Sequence, residues 1–444
     1  MRILGLSYRA LTSCAVIAAL AGCGGLRQAK DDTQPPIGAP VAVARSAHEV
    51  DSAGALDRRF RVVYRFEAVP DAQTPEAALI VVGGALFGTS AGGGKISCGV
   101  DDFCGTVYKV ALSGSQPSES VVYNFGNGSG SDPVAPLLLA SDGRLYGSTF
   151  SGGHITRNSP RGLGTLFTLE PAGSGYTQLE APRHRREGIF PAAPLIEASG
   201  QFYGTDQSGG SPQGGGVVFE MRPSGLDYHV IHRFKGGADG FSPQAGLIAW
   251  KGSFYGTTEA GGASNDGIVY KLRRIGSNYS ETIIYTFSGG SDGSAPLAGL
   301  TEMNGALYGT TEQGGNTKRA HHFGCGTVFK LISASGGFTE SVVYRFGGSS
   351  DGGNPFAGLV VSQGRLYGTT AGGGNASCDD GFGCGTIFEL TPSGSGYEER
   401  ILHRFQGGAR GFRPTASLTV MKKLIYGTTS SGGNGYGTVF TIKP

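Results

Sequence analysis

Cysteines, recurring acids, serines and histidines are the residues of this 444-residue chain that could do chemistry, and their spacing narrows what that chemistry is. Cys98 and Cys104 are separated by five residues, and so are Cys378 and Cys384. In an oxidising compartment each pair would close a local disulfide pinning a long loop; zinc and redox roles are the alternatives. Cys325 aligns with Cys104 and Cys384, but Arg319 stands where its partner would be, so an odd thiol is expected there. An acid recurs at Asp71, Asp132, Glu187, Asp239, Asp292 and Asp351, each four residues before a proline, with Arg410 in the last copy. Such repetition suits a turn between units better than catalysis, and the Asp-x-Asp-x-Asp-Gly run of a calcium loop is absent. Gly-x-Ser-x-Gly occurs at Ser90, Ser291 and Ser350, as chance allows in a chain with 80 glycines, and never between a strand and a helix. His232 and His403 take a slot that holds Tyr in sister segments and read as packing variants. No His/Cys/Asp cluster has zinc spacing, so neither a metal nor a cofactor is expected.

The elements that must position these residues follow from composition. So much glycine excludes a mainly helical protein, because an interior Gly costs a helix about 1 kcal/mol. The 24 Phe and 18 Tyr still allow a large core. With 36 basic and 34 acidic residues, the chain gives no electrostatic reason to expect nucleic acid. A repeat accounts for most of it. The glycine of Leu-Tyr-Gly-Thr-Thr recurs at Gly88, Gly147, Gly204, Gly256, Gly309, Gly368 and Gly427. The glycine of Gly-Thr-Val-Phe recurs at Gly105, Gly164, Gly216, Gly267, Gly326, Gly385 and Gly437. Val-Val-Tyr-Arg-Phe ends at Phe66, Phe125, Phe234, Phe287, Phe346 and Phe405, with one copy degenerate near Leu179. A further apolar run, such as Pro296–Leu300, precedes each Tyr-Gly motif, and tight hairpins such as Asn304-Gly305 join it to that motif.

Four short β-type runs per unit in seven units predict an all-β fold, a seven-bladed β-propeller with four antiparallel strands per blade. A β-solenoid is the alternative. The repeat opens with an orphan fourth strand, Val62–Phe66, and ends with an orphan third, Gly437–Ile442. Joined, they complete one blade, so the N-terminal strand is expected to close the last blade and remove exposed edges. Most aromatics repeat in register and are expected to pack between blades. Phe103, Phe241, Phe323, Phe382 and Phe412 fall in loops, where a sugar-stacking surface would have to be found.

The unit Tyr-Gly-Thr-Thr-x-x-Gly-Gly…Gly-Thr-Val-Phe…Val-Val-Tyr-x-Phe, over residues 61–444, resembles the GloVer tandem repeat of exported bacterial proteins. That resemblance implies export and repetition and no established reaction. The N-terminus agrees. Arg2 and Arg9 precede an apolar stretch that ends in Leu20-Ala21-Gly22-Cys23, which resembles the lipobox of exported bacterial lipoproteins. The resemblance implies a signal peptide over 1–22, acylation of Cys23 and a membrane partner through the lipid; an ordinary cleaved leader is the alternative. Residues 23–59 read as the acylated cysteine and a flexible tether, and 60–444 as the propeller. Gly24, in place of Asp, favours the outer membrane, facing the periplasm or the surface.

Function is expected on one rim. Between the two marker glycines the loops run 17, 17, 12, 11, 17, 17 and 10 residues, so length variation concentrates on one face. The long loops carry Asp101 and Asp102; His154, Arg157 and Arg161; Lys318, Arg319, His321 and His322; and Asp379 and Asp380. They read either as a ligand-binding rim or as a solvated polar surface. The leading expectation is an envelope-anchored binding or scaffolding module for a glycan or envelope protein. The alternative is a propeller hydrolase or lyase acting on polysaccharide or glycoconjugate, for which no catalytic constellation is visible.

Overall fold

The aromatic residue of each Gly-Thr-Val-Phe strand lies flat across the glycine of the neighbouring Tyr-Gly-Thr-Thr strand, and that contact sets the geometry of every blade. A Cβ on Gly88 would meet the Tyr108 hydroxyl at 2.5 Å, and one on Gly147 would meet the Phe167 ring at 2.5 Å. The same clash recurs at Gly204, Gly256, Gly309, Gly368 and Gly427. No side chain fits there, which is why the motif keeps glycine.

The computed structural model describes residues 59–444 except 96–103, 115, 127, 156–158, 180–181, 183, 317–323 and 379–380. The expected leader, the acylated Cys23 and all of the tether but Arg59 lie outside these residues. Seven antiparallel sheets form a seven-bladed propeller, with no α-helix among the described residues. The fifth blade shows the pattern: Thr301–Met303, Ala306–Thr311, Thr327–Ala334 and Gly337–Arg345, hydrogen-bonded in that order from the axis outward. Its first hairpin turns through Asn304 (φ 53°) and Gly305 (φ 77°), the left-handed pair of a type I′ turn. The second blade is irregular, since its fourth strand shrinks to Thr177–Gln178 where the repeat degenerates.

One sequence expectation shifts. The apolar runs before each hairpin are not themselves strands; in the fifth blade Ala298–Leu300 immediately precedes the inner strand. The carbonyls of these segments are used between blades. The first Thr of Tyr-Gly-Thr-Thr donates to the alanine carbonyl of the next blade: Thr89 to Ala135 (2.9 Å), Thr205 to Ala245 (3.0 Å), Thr257 to Ala298 (3.1 Å), Thr310 to Ala357 (3.0 Å) and Thr369 to Ala416 (3.3 Å). Thr428 donates to Ala77 at 3.5 Å and carries the series across the join between the last blade and the first. Farther out, a fourth-strand Phe packs edge-on against the next blade's third-strand aromatic, as in Phe66–Tyr108, Phe287–Phe329 and Phe405–Phe440. The aromatics repeat because they are the blade interfaces.

A third contact latches neighbouring blades at their outer strands. Tyr285 donates its hydroxyl to Asp292 (3.0 Å) and to Glu340 of the following blade (3.4 Å). Tyr64 and Tyr344 likewise bond Asp71 and Asp351. These aspartates also accept the backbone N–H four residues earlier, as Asp292 does from Ser288 at 2.9 Å. The recurring acid is thus a turn residue, as expected, with Asp132 as an exception. Asp132 occupies the pre-proline position one residue before Pro133, with φ 54°, and Ser129 bonds the Gly126 N–H in its place. Its own four-residue spacing to Pro136 was coincidental.

The ring closes as the split repeat requires. Phe60–Arg65 pairs antiparallel with Thr438–Ile442, Phe60 opposite Ile442 and Arg65 opposite Thr438, as the outermost strand of the seventh blade. Deleting residues 60–67 should uncover the Thr438–Ile442 edge and bare Phe405 and Phe440. Thermal unfolding followed by circular dichroism should then lose its single sharp transition and begin well below that of the intact chain. An unchanged melting curve would show that closure contributes nothing to cooperativity.

Candidate functional site

Because strands alternate in direction, the loops between second and third strands share one face with the connections from blade to blade. On that face the axis opens into a channel with a cavity volume of about 330 Å³, lined by the inner segments of all seven blades. Its wall is built from the middle residue of each Ala-x-Leu segment: Ala78, Pro136, Pro194, Gly246, Gly299, Gly358 and Ser417. These are small residues, because seven side chains converge on one axis. The wall is mixed in character, with Glu76, Gln244, Thr415 and Ser417 beside Ala, Pro, Gly and Leu.

The mouth is shaped by an unusual backbone feature. Thr74, Asp132, Phe190, Ser242, Ala295, Asn354 and Arg413, each immediately before a proline, all have φ between 53° and 65°. A non-glycine residue rarely adopts this conformation, least of all before proline. Here it is over-determined. The Asn354 N–H donates to the Cys325 carbonyl of the preceding blade (2.8 Å), and its own carbonyl accepts from Ala371 (3.1 Å). The following proline packs on the Gly-Thr glycine of the preceding blade, as Pro355 does on Gly326. Recurrence in every blade makes the strain architectural, and what differs between blades is the side chain presented.

Those side chains make the mouth polar and acidic. Glu259 accepts from Ser242 (2.9 Å) and from Gln244, a channel-lining residue, at 2.6 Å. Glu312, the matching residue one blade on, is buried, and its Oε1 has no partner among the described residues. Burial, then the charge of Glu259, pushes its carboxyl up to about 8. Asn354 donates to the Glu312 carbonyl at 3.3 Å but leaves its own Oδ1 unsatisfied, as Thr415 leaves its hydroxyl. Across the mouth, Glu76 projects into the channel, open to its water although walled by protein. Desolvation raises its carboxyl, and Arg413 counters this more than Asp132 adds to it. Of these groups Glu76, Gln244 and Thr415 line the channel and can meet a ligand, while Glu312 and Asn354 are buried behind its mouth.

Several rim residues singled out in the sequence, namely Asp101, Asp102, Arg157, Lys318, Arg319, His321, His322, Asp379 and Asp380, lie outside the described residues. His154 is described and exposed, just beyond the Gly152–Gly153 bridge at the base of its loop. Cys378 and Cys384 form the expected disulfide, with Cα atoms 5.0 Å apart, closing the sixth-blade loop. Cys104 is disulfide-bonded and buried, while Cys98, its expected partner, lies outside the described residues. Cys325 is not the odd thiol expected, since it too is disulfide-bonded; counting matched loop positions could not reveal a bond formed outside its own loop. Phe382 is buried over Gly372 and offers no stacking face, while Phe241 and Phe412 are half-buried at inter-strand bridges. Ser90 is buried, and its hydroxyl is engaged by Gly92 and Thr106, which rules it out as a nucleophile.

The acids at the mouth were missed because none recurs in its slot. Glu259 and Glu312 follow Tyr-Gly-Thr-Thr, where other copies carry Ala91, Phe150, Gln207, Ala371 and Ser430. Variation at one slot of an otherwise repeated motif was the available signal. A second missed acid, Asp206, replaces the second Thr of that motif in the third blade. In the second, fifth, sixth and seventh blades this Thr bonds a Thr across the strand pair, as Thr311 and Thr327 do at 2.8 Å. Asp206 faces Val217 instead, receives the Tyr228 hydroxyl (2.9 Å), and is pushed up to about 7 by burial.

Asp206 and Glu312 in the folded protein keep protons that the unfolded chain releases near pH 4, so folding is favoured at low pH and loses stability as pH rises through about 7 to 8. Asp206→Asn and Glu312→Gln should each remove part of that alkaline decline, on the order of 2–4 kcal/mol between pH 5 and 9. Urea denaturation at the two pH values measures it, and equal slopes in wild type and variants would contradict the assignment.

A family model described as the Gloeobacter/Verrucomicrobia repeat matches residues 99–323 and 315–444. No curated protein matches the chain significantly. Among solved structures, the extracellular domain assigned to a one component system from B. thetaiotaomicron is similar over 86% of this chain (TM-score 0.54, 10% identity); the match spans 40% of that longer chain. A fungal alcohol oxidase of the AA5 family, solved in complex with copper, is similar over 87% of this chain and 76% of its own (TM-score 0.50, 14% identity). At these identities the likeness concerns the fold alone.

Proposed function

Since the chain belongs to the Gloeobacter/Verrucomicrobia repeat family, a repeat that the sequence reading associates with export, we propose that it is an envelope-anchored binding module. Its ligand is a hydroxyl-rich molecule, of glycan type, received at the axial mouth. The observation that carries this reading is the axial channel itself, whose lining includes Glu76, Gln244 and Thr415, the last with an unsatisfied hydroxyl. Buried polar atoms without partners are costly, and a ligand hydroxyl that bonds them recovers that cost. The surrounding long loops, one pinned by Cys378–Cys384, supply a rim for a larger ligand. In this reading Cys23 carries the lipid that holds the module to the outer membrane.

The second reading, a polysaccharide hydrolase or lyase, draws on Glu259 and Glu312. Glu259 accepts two hydrogen bonds, while burial pushes the Glu312 carboxyl up to about 8, a difference in environment of the kind that acid–base pairs use. Against it, Glu312 is buried and neither carboxylate lines the channel. Oxidase chemistry of the copper type finds no support, because the channel-lining residues include no imidazole, phenol or thiolate donor.

A panel of glycans and cell-wall polysaccharides tests the proposal. Glu76→Gln combined with Thr415→Ala should weaken binding of any ligand found by about tenfold or more, with the melting temperature unchanged within about 2 °C. Neutralising Lys318, Arg319 and His322 together should weaken binding of larger ligands alone. Binding untouched by either variant would refute the mouth and rim as the site, and turnover of a polysaccharide lost in Glu312→Gln would favour the enzyme. For the anchor, Cys23→Ala should move the protein from the membrane to the soluble fraction; retention in the membrane would refute lipidation.

A further inference from the structure

Three forms of the inter-blade latch bear on one junction. Where Tyr285 stands, its hydroxyl links two carboxylates, Asp292 and Glu340, that would otherwise repel one another across the junction. Between the sixth and seventh blades the tyrosine is replaced by His403 and both acids are gone. Arg410 and Phe60 take their places, and Phe60 stacks on the imidazole at 3.7 Å. Between the third and fourth blades the tyrosine is replaced by His232, but both acids remain, as Asp239 and Glu281. The bridging hydroxyl is lost and the charges it linked are kept.

At that junction an imidazole nitrogen and two carboxylate oxygens converge, all within 4.8 Å of one another. His232 Nε2 is 3.9 Å from Asp239 Oδ1, too far for a hydrogen bond. His232 Nε2 and Glu281 Oε1 are both shielded from solvent and have no hydrogen-bond partner among the described residues. Asp239 Oδ2 is occupied by the Lys235 N–H at 2.7 Å, which leaves Oδ1 facing the gap. The imidazole is held edge-on against Phe234 at 4.6 Å.

We propose that His232, Asp239 and Glu281 form a binding site for a divalent transition cation of the Zn²⁺ type, which replaces the tyrosine hydroxyl as the link between the third and fourth blades. One imidazole and two carboxylates suit such an ion, with water completing the shell. Metal–ligand distances of about 2.0–2.2 Å require the donor atoms to close by roughly 0.5–1.5 Å, within reach of side-chain rotation. The three residues are half-buried, so an ion can enter from solvent. Two other cations compete for the carboxylates: the Lys235 ammonium, which partly offsets the rise that burial and Asp239 impose on the Glu281 carboxyl, and the imidazolium of His232 itself. With either as the resident bridge, no metal would bind.

The full chain, stripped with EDTA and titrated with ZnCl₂ by calorimetry at pH 7.5, tests this. Wild type should take up one equivalent at this site and gain thermal stability with rising zinc. His232→Tyr restores the sister latch, so it should keep the fold and its zinc-free melting temperature while losing that equivalent, with at least a tenfold weaker Kd. Glu281→Gln should weaken binding comparably, and Glu340→Gln at the tyrosine latch should leave it unchanged. Absence of saturable zinc binding in wild type would overturn the proposal. So would binding that persists in His232→Tyr, or that is lost only on replacing His321 and His322.

Discussion

An aromatic ring lying on a glycine is the contact from which the rest of this structure follows. Tyr108 over Gly88, Phe167 over Gly147 and their five counterparts bring second and third strands together closely enough for the aromatic to reach the neighbouring blade. There it meets a fourth-strand phenylalanine, such as Phe66 or Phe287, edge-on. Edge-to-face pairs favour a fixed angle over a stacked sandwich. A fixed angle repeated at successive junctions curves the array until its ends meet. The Thr-to-Ala hydrogen bonds near the axis hold the same curvature from inside, and the last of them, Thr428 to Ala77, joins residues 351 apart in the sequence.

Closure has a chemical consequence. Seven inner segments brought to one axis leave room mainly for small residues at the narrowest ring. The polar side chains that line the channel, such as Glu76, Gln244 and Thr415, follow the strained pre-proline turns. The architecture therefore separates two tasks. Residues that repeat in every blade hold the ring, and residues that vary within a repeated frame give each blade its own polar character. Asn354 and Ala295 share one backbone conformation, yet of the two only Asn354 carries a polar side chain.

The latch shows the same division at the outer strands. Tyr–Asp–Glu, His with Phe60 and Arg410, and His232 with Asp239 and Glu281 are three solutions to one problem, that of joining two blades across a solvated groove. Asp239 beside Glu281 without a bridging group would place two carboxylates together with only Lys235 nearby to offset them.

The period of the repeat, the four strands per blade, the split unit at the termini and the packing role of the aromatics were legible in the residues alone. Each depends on local pattern, and a repeat states that pattern many times. The Cys378–Cys384 disulfide was legible for the same reason, since its partners share one loop. The ring of acids at the mouth was not. Gln244 and Glu259 stand on different segments of the fourth blade, and Glu312 comes from the blade beyond. The meeting of His232 with Glu281 was hidden for a physical reason: it depends on which residues of different blades share a junction, and only a closed ring of fixed curvature brings them together.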